Sequence, residues 1–90
     1  MILRDELHGR DLVPPAERAR LGRDPDLEFP CDPDDDVVSA FHALVRRDAD
    51  GAWWIEDAGS TNGTWLNGRR IAGPERLRTG DRFTLGQRGP

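Results

Sequence analysis

Short apolar stretches alternate with turn-forming dipeptides at intervals of about eight to twelve residues, the spacing of an all-β fold. Trp53 and Ile55 share one parity and Trp54 and Glu56 the other, so this segment reads as a strand with one buried face. Its predicted partner runs from Phe41 to Arg47, across a turn at Asp50-Gly51. Asn62-Gly63 and Asn67-Gly68 tolerate the positive φ angles of tight hairpin turns and bracket a short strand, Thr64 to Leu66. Phe83 and Leu85 place another strand over Arg82 to Leu85, after a turn at Gly80-Asp81. The first third is less regular. Ile2-Leu3, Asp11 to Val13, Arg18 to Leu21 and Leu27 to Phe29 are each candidate strands. The one stretch with helix-forming character, Pro14 to Leu21, is flanked by Pro14-Pro15 and Gly22 and is too short to stand alone. Many short strands with no helical pattern predict an all-β sandwich.

Ninety residues give room for one small domain, predicted to occupy the whole chain. Its core must be thin, because a chain this short buries only about 60% of the surface its unfolded form exposes. The composition changes the picture in three ways. Cys31 is the sole cysteine, which rules out an internal disulfide or a cysteine-rich zinc site and points to a reducing, cytoplasmic setting. No apolar run approaches the roughly 20 residues needed to cross a bilayer, so no membrane segment is expected. Thirteen arginines, with no lysine, meet seventeen acids for a net charge of −4, which argues against nucleic acid as a partner. The charge is also uneven: seven acids and no base lie between Asp24 and Asp36.

Binding residues in a sandwich gather on the loops at one end. Three loops carry polar groups that turn formation alone does not demand: Gly22-Arg23, Ser39-Ala40-Phe41-His42, and Gly59 to Thr64. These residues resemble the forkhead-associated (FHA) domain family. The match consists of Gly22-Arg23, Ser39 and His42 spaced as S-x-x-H, then Ser60-Thr61-Asn62-Gly63-Thr64 followed by Asn67-Gly68. Leu77, Gly80-Asp81 and Leu85-Gly86 continue it in order. The resemblance implies an FHA-like β-sandwich of about ten to eleven strands, no catalysis, and no cofactor or metal. It implies a loop surface that binds a phosphothreonine-containing protein, such as a Ser/Thr kinase or its substrate. By motif position, Arg23, Ser39 and Thr61 would hold the phosphate and Asn62 the peptide backbone. Gly22, His42, Gly63 and Thr64 would support the loops.

The chemistry fits those roles. A phosphothreonine carries about −1.5 to −2 charges and three acceptor oxygens. An arginine fork meets such a group with two parallel charge-assisted bonds, and hydroxyls donate to what remains. Asn presents a donor and an acceptor on one plane, which suits a peptide unit. The resemblance further implies that Asp35, Asp36, Val37 and Ala40 border the peptide and set its specificity; the acids, Asp34 included, should favour basic or apolar side chains and reject acidic ones. As a calcium site those acids lack the EF-hand spacing and glycine.

Two departures stand out. Ala40 occupies a position where many family members carry Asn, Arg or Lys, so one phosphate contact is lost. That opens an alternative, phosphate-independent protein interaction or self-association. Only Gln87 to Pro90 follow Leu85-Gly86, where the family has a further strand, so the expectation is either a domain cut short or a missing last strand. We therefore expect a fragment of a larger protein, with an exposed sheet edge and either a monomer or a strand-exchanged dimer. Ser39, His42 and Asp57 contain the letters of a hydrolase triad, but no G-x-S-x-G elbow accompanies them.

Overall fold

A computed structural model describes residues 1–86 of the chain. Ten strands form: β1 (Leu3–Asp5), β2 (Arg10–Leu12), β3 (Arg18–Gly22), β4 (Phe29–Pro30), β5 (Ala43–Arg47), β6 (Trp53–Asp57), β7 (Thr64–Leu66), β8 (Arg69–Arg70), β9 (Glu75–Leu77) and β10 (Arg82–Leu85). They make two five-stranded sheets, ordered β2-β1-β10-β7-β8 and β4-β3-β5-β6-β9. The expected all-β sandwich is therefore what the described residues adopt.

Alternation drives the packing. Leu3, Leu12, Phe83, Leu85 and Leu66 of one sheet face Ala19, Leu21, Val45, Ile55 and Leu77 of the other, and all are buried. Phe83 is central, and Phe29 meets its ring edge-on with centroids 6.1 Å apart. Each such side chain contributes about 1.5–3 kcal/mol by leaving water. Between β7 and β8, Asn67 (φ 50°) and Gly68 (φ 84°) make the left-handed pair of a two-residue hairpin.

The structure differs from the sequence expectations in several places. Strand β5 starts at Ala43 rather than Phe41, because residues 39–42 curl around the end of β3. Asn62-Gly63 is not a hairpin turn: β6 and β7 belong to different sheets, so this loop crosses the sandwich. Strands β8 and β9, of two and three residues, were not expected, being too short to show a period. In the first third, Leu3–Asp5, Arg10–Leu12 and Phe29–Pro30 replace the slightly shifted segments read from sequence. β1 pairs in parallel with β10, Arg4 opposite Arg82 and Asp5 opposite Phe83, so the N-terminal strand lies inside its sheet, between β2 and β10. The question of a last strand falls on Gln87 to Pro90, outside the described residues.

Candidate functional site

Three connecting segments converge at one end of the sandwich, and hydrogen bonds lock them together. Arg23, the first residue beyond β3, donates its backbone N–H to the Ser39 carbonyl at 3.0 Å, and Asp24 donates to that of Ala40 at 3.1 Å. This approach demands a glycine at position 22, where a Cβ would stand 2.2 Å from the Ala40 carbonyl oxygen. The Arg23 side chain is fixed as well. Its Nε–H donates to the Val38 carbonyl, so the stem is anchored and the two terminal nitrogens remain as a fork.

Ser39 couples this segment to the next. Its Oγ accepts the Thr61 N–H at 3.2 Å, which leaves the hydroxyl hydrogen available to donate elsewhere. Thr61 is exposed at the tip of the β6–β7 loop. Asn62 donates its side-chain Nδ2–H to the Val37 carbonyl at 3.0 Å, tying the loop to the acidic segment. Under these groups lies His42, fully buried. Its Nδ1 accepts the Ser39 N–H at 3.0 Å and its Nε2–H donates to the Gly63 carbonyl at 2.6 Å. Gly86 adds a second donor to that carbonyl at 2.8 Å. His42 therefore braces two loops, the one at Ser39 and the one at Gly63.

Asp57, at the end of β6, organises the loop from within. It accepts hydrogen bonds from the N–H groups of Gly59 and Ser60, from the Ser60 hydroxyl, and from Thr64 Oγ1 at 2.7 Å. Ser60 Oγ in turn accepts the Gly63 N–H at 2.9 Å. Sequence reading placed Asp57 only among the letters of a triad; the usable signal was its position three residues before Ser60, the spacing of a side-chain-capped turn. The triad itself is not wired. His42 takes the backbone N–H of Ser39, not its hydroxyl, and Asp57 bonds Ser60 and Thr64 instead of the imidazole.

Arg23, Ser39, Thr61 and Asn62 are thus brought together, and Gly22, His42, Gly63 and Thr64 lie within or beneath them. The acidic segment divides. Asp35 turns inward, accepting the Val37 N–H at 3.1 Å and standing 3.8 Å from His8 Nε2. Asp34 and Asp36 are exposed, and Val37 is half-buried. Ala40 is exposed beside Ser39, and next to it Phe41 is 43% exposed, a feature the sequence reading did not single out. Among the described residues, no group of three or more His, Cys, Asp or Glu is placed to hold a metal ion. Among the same residues, no helix is long and apolar enough to cross a membrane.

A β-sandwich that gathers an anchored arginine and two hydroxyl residues on the loops at one end has the layout of a binding module rather than of a catalytic pocket. The FHA domain family matches residues 19–86, and the chain belongs to that family, a non-catalytic module. It is 40% identical over 65 residues to Protein FraH of Nostoc sp., covering 70% of this chain and 22% of that protein. EmbR of Mycobacterium tuberculosis, solved with a low-affinity phosphopeptide, superposes with a TM-score of 0.75 at 26% identity, over 99% of this chain and 25% of that one. The N-terminal FHA domain of Rad53p from S. cerevisiae, solved with a phosphothreonine peptide, gives 0.70 at 31% identity, over 77% and 56%. The chain spans only about a quarter or less of the length of FraH and EmbR.

Proposed function

We propose that this chain recognises a phosphothreonine-containing segment of a partner protein in Ser/Thr-kinase signalling, the partner being such a kinase or its substrate. One observation carries the reading: the Arg23 fork, held by its Nε, is hydrogen-bonded through its own backbone to Ser39, whose hydroxyl holds Thr61. Arg23 supplies the two charge-assisted bonds, and Ser39 and Thr61 hydroxyls serve the remaining phosphate oxygens. Asn62 grips the peptide backbone, exchanging its contact with the Val37 carbonyl for one with the guest. The phosphopeptide complexes among the structural neighbours support this assignment. Exposed Asp34 and Asp36 beside the loops favour basic side chains in the peptide.

Isothermal titration with matched threonine and phosphothreonine peptides tests it. The phosphorylated form should bind at least about a hundredfold more tightly, since two charged hydrogen bonds are each worth about 1.5–3 kcal/mol. Arg23→Lys should keep the fold and lose most of that preference, because a point charge cannot replace the fork. A second reading, phosphate-independent binding, is favoured by the exposed Ala40-Phe41 pair at the same mouth. Equal affinities for the two peptides would establish it and remove the first.

A further inference from the structure

The outward face of the β4-β3-β5-β6-β9 sheet carries a feature that the recognition loops do not use. Strand register sets Arg18 opposite Arg46, Arg46 opposite Trp54, and Trp54 opposite Arg76. One line of side chains therefore crosses four strands, about 14 Å at the usual interstrand spacing. Its members are not core residues. Trp53, the sequence neighbour, packs against the buried cluster, whereas Trp54 lies on the opposite face and is half-buried. The Trp54 indole N–H is pinned by Asp48 Oδ2 at 2.8 Å, while Asp48 Oδ1 caps the β5–β6 turn. Arg46 is paired with Glu56 at 3.2 Å. Arg18 and Arg76 are exposed and lie beyond ion-pair distance of any carboxylate among the described residues, acting at longer range on Glu28 and Asp48 respectively.

A solvated sheet face accounts for polar side chains here, but not for this arrangement. Like charges directly opposite on neighbouring strands destabilise a sheet, and the chain keeps that cost at Arg18 and Arg46. It does so in a protein whose net charge is −4. A cationic row around a fixed indole is complementary to carboxylates flanking an apolar residue. A nucleic acid, charged along its whole length, would meet the chain's acidic surplus beyond the row, whereas two carboxylates spaced to match the arginines would not.

We propose that this row docks an extended acidic segment of a partner protein, with an apolar residue over Trp54 and a carboxylate two positions away on each side. Same-face side chains of an extended segment stand about 6.8 Å apart. One carboxylate then falls between Arg46 and Arg18, and the other falls within reach of Arg76. The surface is separate from the recognition loops, so a partner can hold both at once and gain avidity.

The probe is a synthetic peptide, Gly-Ser-Glu-Gly-Leu-Gly-Glu-Ser-Gly, titrated into isotopically labelled chain and followed by two-dimensional amide NMR. Its control replaces both glutamates by glutamine. The largest shifts should fall on the Trp54 indole N–H and on amides around Arg18, Arg46 and Arg76, with Ser39 and Thr61 unmoved. Arg18→Glu with Arg76→Glu should weaken binding by about tenfold or more while leaving the spectrum folded and phosphothreonine-peptide affinity unchanged. Row signals that stay still, respond equally to the glutamine control, or ignore the double substitution would overturn the proposal. So would shifts at these residues on concentrating the chain alone, which would assign the row to a second copy. Loss of phosphothreonine binding by the unmodified chain would strike only the loop reading.

Discussion

Asp57 gathers more of the recognition loop than any residue that faces a ligand. Partial burial pushes its carboxyl upward, but donors from Ser60 and Thr64 and the amides of Ser60 and Gly59 outweigh that and leave it below the ordinary 3.8. The sign follows from linkage. A group depressed in the folded state stabilises the fold above its unfolded pKa and ceases to do so as pH falls through the folded one. Glu28 behaves likewise, held down to about 2 from 4.5 by its hydrogen bonds from Arg20. Stability should therefore be full near neutrality and decline below about pH 4.5, with the decline continuing towards pH 2. Asp57→Ala leaves the Ser60 and Thr64 donors without their acceptor and should lower stability by about 1–3 kcal/mol at pH 7. The same variant should show a shallower acid limb. Urea denaturation across the pH range reads both.

Elements matter at the site chiefly through how closely their backbones approach. Gly22 at the end of β3 admits the Ser39-Ala40 peptide, and nothing else does: the intruding Cβ of Gly22→Ala meets backbone, which cannot swing aside. We expect a loss of about 1–3 kcal/mol in stability from this overpacking. Phosphopeptide affinity should fall as well, because Arg23 and Ser39 are moved apart; denaturation and titration of the variant check the two. This scale also explains what the amino-acid order revealed. The β5–β6 hairpin was legible because five-residue strands display their alternation around Asp50-Gly51. β8 and β9 were not, since two or three residues show no period and these strands exist only by pairing with β7 and β6. Asn62-Gly63 misled for a different reason: the dipeptide specifies local φ, not which sheet receives the following strand. Arg23, Ser39, Thr61 and Asn62 could be found from an ordered motif of side chains. The carbonyls of Val37, Val38 and Gly63, which hold Asn62, Arg23 and His42, leave no trace in side-chain identity.

For the molecule as a whole, charge placement opposes charge sum. On the proposed function, the net −4 and the acids between Asp24 and Asp36 would repel a dianionic peptide at long range, while Arg23 would attract it at contact. Screening acts on the first far more than on the second, since the Debye length is about 8 Å at physiological ionic strength. Raising salt from low to physiological should therefore speed phosphopeptide association, by up to about threefold, and change dissociation little. Stopped-flow measurements at several salt concentrations decide the sign. The path of the chain at the site has one more consequence. Residues 58–63 pass from one layer of the sandwich to the other, and Gly63 is clasped from both sides, by His42 and by Gly86. A guest seated there leans on both halves, so prying them apart means evicting it first: occupancy would register as heat resistance, a thermometer for a partner not yet in hand.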